Sequence, residues 1–287
     1  MVNSKIIDGR KIAKNILLTV KEEVEKLSAK NIIPGLAVIM VGDDPMSQLY
    51  VSRKQKAAAD VGINSFVHNM ATNTTTKQLR SKIQELNNTP QVHGILVQLP
   101  LPDHIDTIEI INSINSKKDV DGFTVENIGK LITEQDGIFP CTPQGCLHLI
   151  KSVEPDIKGL NAVVVGRSNI VGRPMSNILM NENCTVTVIH LHTKNPIEIA
   201  KNADILVSAT GHAGLITEKW VNKNMIVIDV GISRINVDGK EKLVGDVNFN
   251  QVKDKVRAIT PVPGGVGPMT IAYLMKNTLK AVSLQHY

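Results

Sequence analysis

The sequence predicts an α/β fold of two domains, each built on a mostly parallel sheet. Three observations carry this. Short apolar runs rich in Val, Ile and Leu alternate with amphipathic stretches, which is the pattern of βαβ units. The series pauses between about residues 120 and 140 and restarts near residue 142. A chain of 287 residues also has room for two ordinary domains.

The elements follow in order. Ile12, Ile16, Val20, Val24 and Leu27 recur at helical spacing, with Lys and Glu on the opposite face. Gly35 to Val41 is an unbroken apolar run ending at Gly42, as expected of a strand buried on both faces. Ser47 to Val61 reads as a helix, Ile63 to Met70 as a strand and Thr75 to Leu86 as an amphipathic helix. Val92 to Leu99 reads as a third strand, stopped by Pro100 and Pro102. After the pause, Thr142-Pro143 looks like an N-cap followed by proline at the first helical position. Strands are expected at Asn161 to Val165, Thr185 to His190, Ile205 to Ser208 and Met225 to Val230. Ile170 to Met180 should be a helix, and a last helix should run from about Pro268 to Leu284. Crossovers between the strands should be right-handed.

Composition narrows the function classes. Hydrophobic residues make up 42% and charged residues 21%, so a packed core is expected. Only 3% of residues are aromatic, so that core must be built from aliphatic side chains. The net charge of +5 is dispersed along the chain, without a basic stripe or interleaved aromatics. Nucleic acid is therefore a poor partner and a small polyanion a better one. Cys141, Cys146 and Cys184 form no Cys-x-x-Cys pair, which points to reduced structural thiols and no metal site. The opening MVNSKIIDGR lacks an apolar targeting core and no run is long enough to span a bilayer, so a cytoplasmic protein with no membrane partner is expected.

Val163-Val164-Val165-Gly166-Arg167-Ser168-Asn169-Ile170-Val171-Gly172-Arg173-Pro174 leaves a strand and opens a helix. That context suits an anion held by backbone N–H groups. Against a G-x-G-x-x-G fingerprint, Ser168 and Val171 replace the second and third glycines, so a plain strand–helix turn fits the segment equally well. The following strand ends in His190-Leu191-His192-Thr193-Lys194, with no carboxylate for a ribose hydroxyl. Arg173, His190 and Lys194 would instead suit a 2′-phosphate, favouring NADP over NAD, unless they are solvated surface charges. Ser208-Ala209-Thr210-Gly211 and Asp229-Val230-Gly231-Ile232 place small residues beyond two further strands, where ligands of open α/β sheets bind.

Tyr50 and Lys54 stand one turn apart on a predicted helix and so share a face. Gln98 ends a buried apolar strand, where its amide needs a partner. Asp121 lies in a loop, a common place for a turn-forming acid. Tyr50-Val51-Ser52-Arg53-Lys54, Val97-Gln98-Leu99-Pro100-Leu101-Pro102, Lys118-Asp119-Val120-Asp121-Gly122, Pro140-Cys141-Thr142-Pro143, the Gly166 to Pro174 segment and Pro263-Gly264-Gly265-Val266-Gly267-Pro268-Met269-Thr270 occur in this order. In that set, which spans nearly the whole chain, the sequence resembles the bifunctional methylenetetrahydrofolate dehydrogenase/cyclohydrolase family.

The resemblance implies an N-terminal folate and catalytic domain of residues 1–121 and 268–287. It implies a C-terminal Rossmann-like NAD(P)-binding domain of residues 122–267, with a cleft between the two. The implied activity is NADP-dependent oxidation of 5,10-methylene-tetrahydrofolate to the 5,10-methenyl cation, followed by hydrolysis to 10-formyl-tetrahydrofolate. This belongs to one-carbon metabolism and purine biosynthesis. Lys54 would be the main catalytic residue, positioned with the folate by Tyr50 and Gln98, and Asp121 would grip the pterin. Val97, Leu99, Pro263, Gly264, Gly265, Pro268 and Thr270 would border the folate. Gly166, Arg167, Ser168, Ile170, Val171, Gly172, Arg173, His190, Thr210, Gly211 and Ile232 would line the nucleotide. The implied partners are a folate, polyglutamylated forms included, and a second copy of the chain through the nucleotide domain.

Two departures matter. Some relatives place Arg or Ser where this chain has Leu191, and Leu191 cannot contact a 2′-phosphate. Lys54 is present, which disfavours the monofunctional dehydrogenases, and no synthetase domain is expected. Two other functions compete with this one. A hydroxy-acid dehydrogenase would need a His or Lys base beside a carboxylate-binding Arg, and no convincing pair is found. A nucleotide sensor would be favoured by loss of Lys54 or Gln98, and both are present.

Overall fold

The computed structural model describes residues 5–237 and 239–286. In chain order the elements are β1 (Lys5–Ile6), α1 (Gly9–Ser28), β2 (Gly35–Val41), α2 (Pro45–Val61), β3 (Asn64–Met70), α3 (Thr76–Asn87), β4 (Gly94–Val97), α4 (Thr107–Asn112), α5 (Val125–Ile132) and α6 (Cys141–Lys151). They continue with β5 (Asn161–Val165), α7 (Gly172–Asn181), β6 (Thr185–Ile189), α8 (Pro196–Lys201), β7 (Ile205–Ser208), β8 (Ile226–Asp229), β9 (Ser233–Val237), β10 (Lys240–Val244), α9 (Phe249–Val252), β11 (Ala258–Ile259) and α10 (Val266–His286). By packing, residues 14–141 and 271–286 form one compact unit, while residues 142–270 and 5–13 form the other.

In the unit beginning at Lys14, β2 is the middle of a parallel sheet of order β3-β2-β4. Ile39 lies opposite His68 on one side and Val97 on the other. A single parallel bridge, Ile95 to Asp119, extends the sheet beyond β4. The chain leaves β2 for β3 and then returns past β2 to form β4. The carboxyl ends of β2 and β4 therefore flank the switch point, where open α/β sheets leave a crevice. Every residue of β2 is buried, as its unbroken apolar run requires. Ala37, Ile39 and Val41 pack with Leu79, Ile83 and Leu86 from α3 and Ile110 from α4.

The other unit holds a six-stranded sheet of order β1-β11-β8-β7-β5-β6, parallel throughout. Its switch point lies between β5 and β7. Val163, Val165, Leu206 and Val227 pack one face against Trp220, Val252 and Val256. β9 and β10 form an antiparallel hairpin after β8.

Several details differ from the sequence reading. The helix expected at Thr142 begins at Cys141, so Pro143 is its third residue and Thr142 its second. Proline is tolerated there because N–H groups of the first turn have no intrahelical partner. The strand expected over Val92 to Leu99 is ordered only at Gly94–Val97, and α10 starts at Val266, ahead of Pro268. The three cysteines are buried and free. Among the described residues no helix is long and apolar enough to cross a membrane.

Leu79 is fully buried between α3 and the three-stranded sheet. Leu79→Ala should destabilise its unit by about 2–5 kcal/mol, the usual cost of lost contacts and a residual cavity. Urea unfolding checks this, and an unshifted midpoint would contradict the packing.

Candidate active site

α2 is fixed at its start by Asp44, whose carboxylate accepts from the Ser47 N–H at 2.7 Å, and by Pro45 at the first helical position. Val51, Ala57, Ala58 and Val61 bury its inner face. Tyr50 and Lys54, one turn apart, remain half-buried. The Lys54 Nζ donates to Gln98 Oε1 at 2.9 Å. Gln98 itself is held at the end of β4, where its backbone N–H donates to the Ile39 carbonyl at 2.8 Å. Its side-chain Nε2 donates to the Leu99 carbonyl at 2.6 Å. With the NH2 end engaged there, the amide oxygen is turned to the lysine. The polar amide expected to need a partner has two.

Asp121 follows the strand-like segment beside β4. Burial pushes its carboxyl up to about 6, the Lys54 ammonium opposes the shift, and the Asp119 carboxylate adds to it. Lys54, Gln98 and Asp121 thus share one region of one unit, reached from α2, β4 and the next segment of the sheet. Buried Val97 and half-buried Leu99 flank Gln98. A half-buried amine, an oriented amide and a half-buried carboxyl can hold a planar polar heterocycle and move a proton at one face of it.

The second cluster belongs to the other unit. Gly166 has φ +115°, and a Cβ there would collide with the Ala209 carbonyl oxygen. A Cβ on Gly172 would strike the carbonyl oxygen of Gly166. The ends of β5 and β7 and the start of α7 therefore meet backbone to backbone, in a cradle without side chains. Ser168 Oγ accepts from the N–H groups of Val171 at 3.2 Å and Gly172 at 3.4 Å, closing the turn. Arg167, Ser168, Ile170 and Arg173 are exposed around it, with Arg173 Nε donating to the Arg167 carbonyl at 3.3 Å. Such a cradle at a helix N-terminus, rimmed by two arginines, fits a dinucleotide pyrophosphate.

The floor beside it is acidic. Asp246 is fully buried and its Oδ2 accepts from Ser208 Oγ at 3.1 Å and the Thr210 N–H at 2.6 Å. Buried Asp229 accepts from the N–H groups of Gly231, Asp246 and Val247 at 2.9–3.1 Å. Burial pushes the Asp229 carboxyl up to about 7, against those donors and with the help of Asp246. These carboxylates fix the loops that present Thr210, Gly211 and Ile232. The sequence reading missed Asp246, since a lone acid after a hairpin carries no periodic signal. At the end of β6 the His190 N–H donates to Thr193 Oγ1 at 2.9 Å, and Leu191 is 94% exposed.

The Pro263 to Thr270 segment opens α10 and packs with the nucleotide-type cluster's unit. Gly264 and Gly265 are buried, Pro263 is exposed, and Pro268 and Thr270 are half-buried. Thr270 and Thr142 hydroxyls lie 2.8 Å apart, and the Arg10 N–H donates to the Gly264 carbonyl at 3.2 Å.

Comparison with known proteins bears on both clusters. Residues 7–121 match the tetrahydrofolate dehydrogenase/cyclohydrolase catalytic domain, and residues 140–286 match the NAD(P)-binding domain of the same family. A bifunctional protein FolD of Wolbachia sp. subsp. Brugia malayi is 51% identical over 282 residues, covering 98% of this chain and 96% of its own. The crystal structure of the bifunctional FolD methylenetetrahydrofolate dehydrogenase/cyclohydrolase of Campylobacter jejuni superposes with a TM-score of 0.95 at 46% identity, covering 98% of this chain and 99% of its own. The Trypanosoma brucei FolD, solved with NADP cofactor and inhibitor, superposes with a TM-score of 0.95 at 39% identity and 99% coverage of both chains.

The weakened acidity of the Asp121 carboxyl has a consequence for stability. A carboxyl whose folded value lies near 6, above the unfolded 3.8, favours folding only while protonated. The penalty is absent at pH 4 and grows as pH rises through 6. Asp121→Asn, which cannot ionise, should therefore raise the thermal midpoint relative to wild type at pH 8 and much less at pH 4. An equal change at both pH values would contradict the burial of this charge.

Proposed function

The chain belongs to the tetrahydrofolate dehydrogenase/cyclohydrolase family, and on that premise we propose that it oxidises 5,10-methylene-tetrahydrofolate with NADP and hydrolyses the resulting 5,10-methenyl cation to 10-formyl-tetrahydrofolate. The observation that carries this reading is the Lys54 Nζ to Gln98 Oε1 hydrogen bond beside the half-buried Asp121 carboxyl. We assign residues 1–121 and 268–287 to the folate and catalytic role and residues 122–267 to the dinucleotide.

In the oxidation, hydride leaves the methylene carbon and the two flanking nitrogens stabilise the cation that remains. No base is needed, so the protein's task is positioning. NADP, when bound, supplies the hydride acceptor. Gly166, Arg167, Ser168, Ile170, Val171, Gly172, Arg173, His190, Thr210, Gly211 and Ile232 would hold it, the glycine cradle taking the pyrophosphate. Arg173 is the exposed cation suited to a 2′-phosphate; Leu191 offers none.

In the hydrolysis, water adds to the cationic carbon and gives up a proton, while a ring nitrogen gains one as its bond to that carbon breaks. Lys54 would carry the proton, its Nζ kept in place by Gln98 Oε1. Tyr50, one turn back along α2, would line the same face. Asp121 would accept from the adjacent N–H donors of the pterin edge, a charge-assisted pairing that needs the ionised carboxyl. Val97, Leu99, Pro263, Gly264, Gly265, Pro268 and Thr270 complete the folate residues of this proposal. A homodimer acting in the cytoplasm on folates that include polyglutamylated forms belongs to it as well.

Lys54→Met should abolish the cyclohydrolase step, followed as decay of the methenyl-folate absorbance. Near-full hydrolysis by that variant would remove Lys54 from its role. Asp121→Asn should weaken folate binding by about 1–3 kcal/mol, the range for loss of a charged hydrogen-bond partner. Unchanged folate affinity in a titration would count against the assignment.

A further inference from the structure

Asp121 is one of two acids in Lys118-Asp119-Val120-Asp121-Gly122, and the two are used differently. Asp119 is fully buried. Its Oδ1 accepts from the Gly122 N–H at 3.0 Å, and its Oδ2 from the Thr124 N–H at 2.8 Å and Asn127 Nδ2 at 3.1 Å. Thr124 is the N-cap of α5, so this carboxylate also sits at the positive end of a helix. Burial pushes both carboxyls up, but at Asp119 hydrogen bonds oppose it, whereas at Asp121 the Lys54 charge opposes it and the Asp119 charge adds to it, with no hydrogen bond among the causes.

The segment is tied residue by residue to separate elements. Lys118, buried, sends Nζ to the carbonyls of Leu86 at 3.3 Å and Thr89 at 3.0 Å at the end of α3. The Lys118 carbonyl accepts from the Ile95 N–H of β4 at 2.7 Å. The carbonyl of Val120, directly before Asp121, accepts from Asn277 Nδ2 of α10 at 2.8 Å and from Cys141 Sγ at 3.3 Å. Asn277 Nδ2 also donates to the Phe139 carbonyl at 2.9 Å. The peptide before Asp121 is thus fixed by Asn277, and the peptide after it by Asp119.

We propose that Asp119 and Asn277 are positioning residues for Asp121, clamping the backbone on either side so that the one carboxyl without hydrogen bonds is presented to the pterin edge. The inference rests on the folate-binding reading of Asp121. The clamp also sets the charge environment. Asp121 is faced by Lys54 from α2, by Asp119 within its own segment and by the Cys141 thiol, and Asp119 is the neighbour that resists its ionisation. Removing the Asp119 charge should therefore let Asp121 ionise at lower pH.

The test compares Asp119→Asn, Asn277→Ala and Asp121→Asn in the full-length protein. Tetrahydrofolate and NADP affinities would be measured by calorimetry from pH 5 to pH 8. Asp119→Asn should weaken tetrahydrofolate binding at least about tenfold, because a displaced Asp121 carboxyl loses its charge-assisted hydrogen bond to the pterin. It should also move the acidic limb of that binding to lower pH. Asn277→Ala should weaken tetrahydrofolate binding to a similar degree with the acidic limb unmoved, because it alters geometry and leaves the charge. Unchanged NADP affinity in both variants reports an intact fold of the other unit. Should Asp119→Asn fail to fold, Asn277→Ala decides alone. Tetrahydrofolate affinity within about twofold of wild type in the clamp variants, alongside weakened binding in Asp121→Asn, overturns the clamp and spares the folate reading. Unaltered binding in Asp121→Asn overturns both.

Discussion

A lysine ammonium held 2.9 Å from an amide oxygen, at the carboxyl edge of a three-stranded parallel sheet, is the contact on which the candidate site rests. Each partner is placed by the sheet. Gln98 continues the β4 ladder onto β2, and α2, which carries Lys54, starts a few residues after β2 ends. Because the strands switch direction of travel at β2, these two ends are neighbours. The same edge, one strand further, ends at Asp121. Three polar side chains far apart in sequence converge for a topological reason, without a loop designed for each.

The arrangement works against stability. A half-buried carboxyl pushed to about 6, and a buried one pushed to about 7 at the end of β8, each favour the protonated form in the folded state. A carboxyl buried for binding destabilises the folded chain near neutral pH. The cradle imposes a comparable constraint, since Gly166 at φ +115° and Gly172 against a carbonyl leave no room for a side chain. Aliphatic burial along β2, β5, β7 and β8 supplies the stabilisation that offsets these features.

Much of this was legible in the sequence. The continuous apolar runs of Gly35–Val41 and Ile205–Ser208 gave strands at the stated residues, because full burial on both faces erases any alternation. The Tyr50 and Lys54 spacing gave a shared helix face, and the polar Gln98 ending an apolar run announced an unmet hydrogen bond. What was hidden depends on tertiary pairing. β1, two exposed residues, is a strand only because Lys5 and Ile6 find Ala258 and Ile259 more than two hundred positions later. Nothing in the sequence distinguishes Asp119 from Asp121 two residues on, and only their partners separate them. Asp246 and Asn277 act on backbone groups distant in sequence, so nothing local marked them. α4 and α5, with six and eight residues, are shorter than the stretch over which helical periodicity is read, and the β9–β10 hairpin lies in a stretch with little apolar alternation.

The central claim is that Lys54, Gln98 and Asp121 form one folate site in which the amine works at the one-carbon bridge. A crystal structure with NADP and a stable folate analogue tests it most directly. The account predicts the Asp121 carboxyl against the pterin N–H edge, and Lys54 Nζ still on Gln98 and within hydrogen-bond reach of the bridging position. A pterin bound elsewhere, or a Lys54 amine turned into bulk solvent, would contradict it.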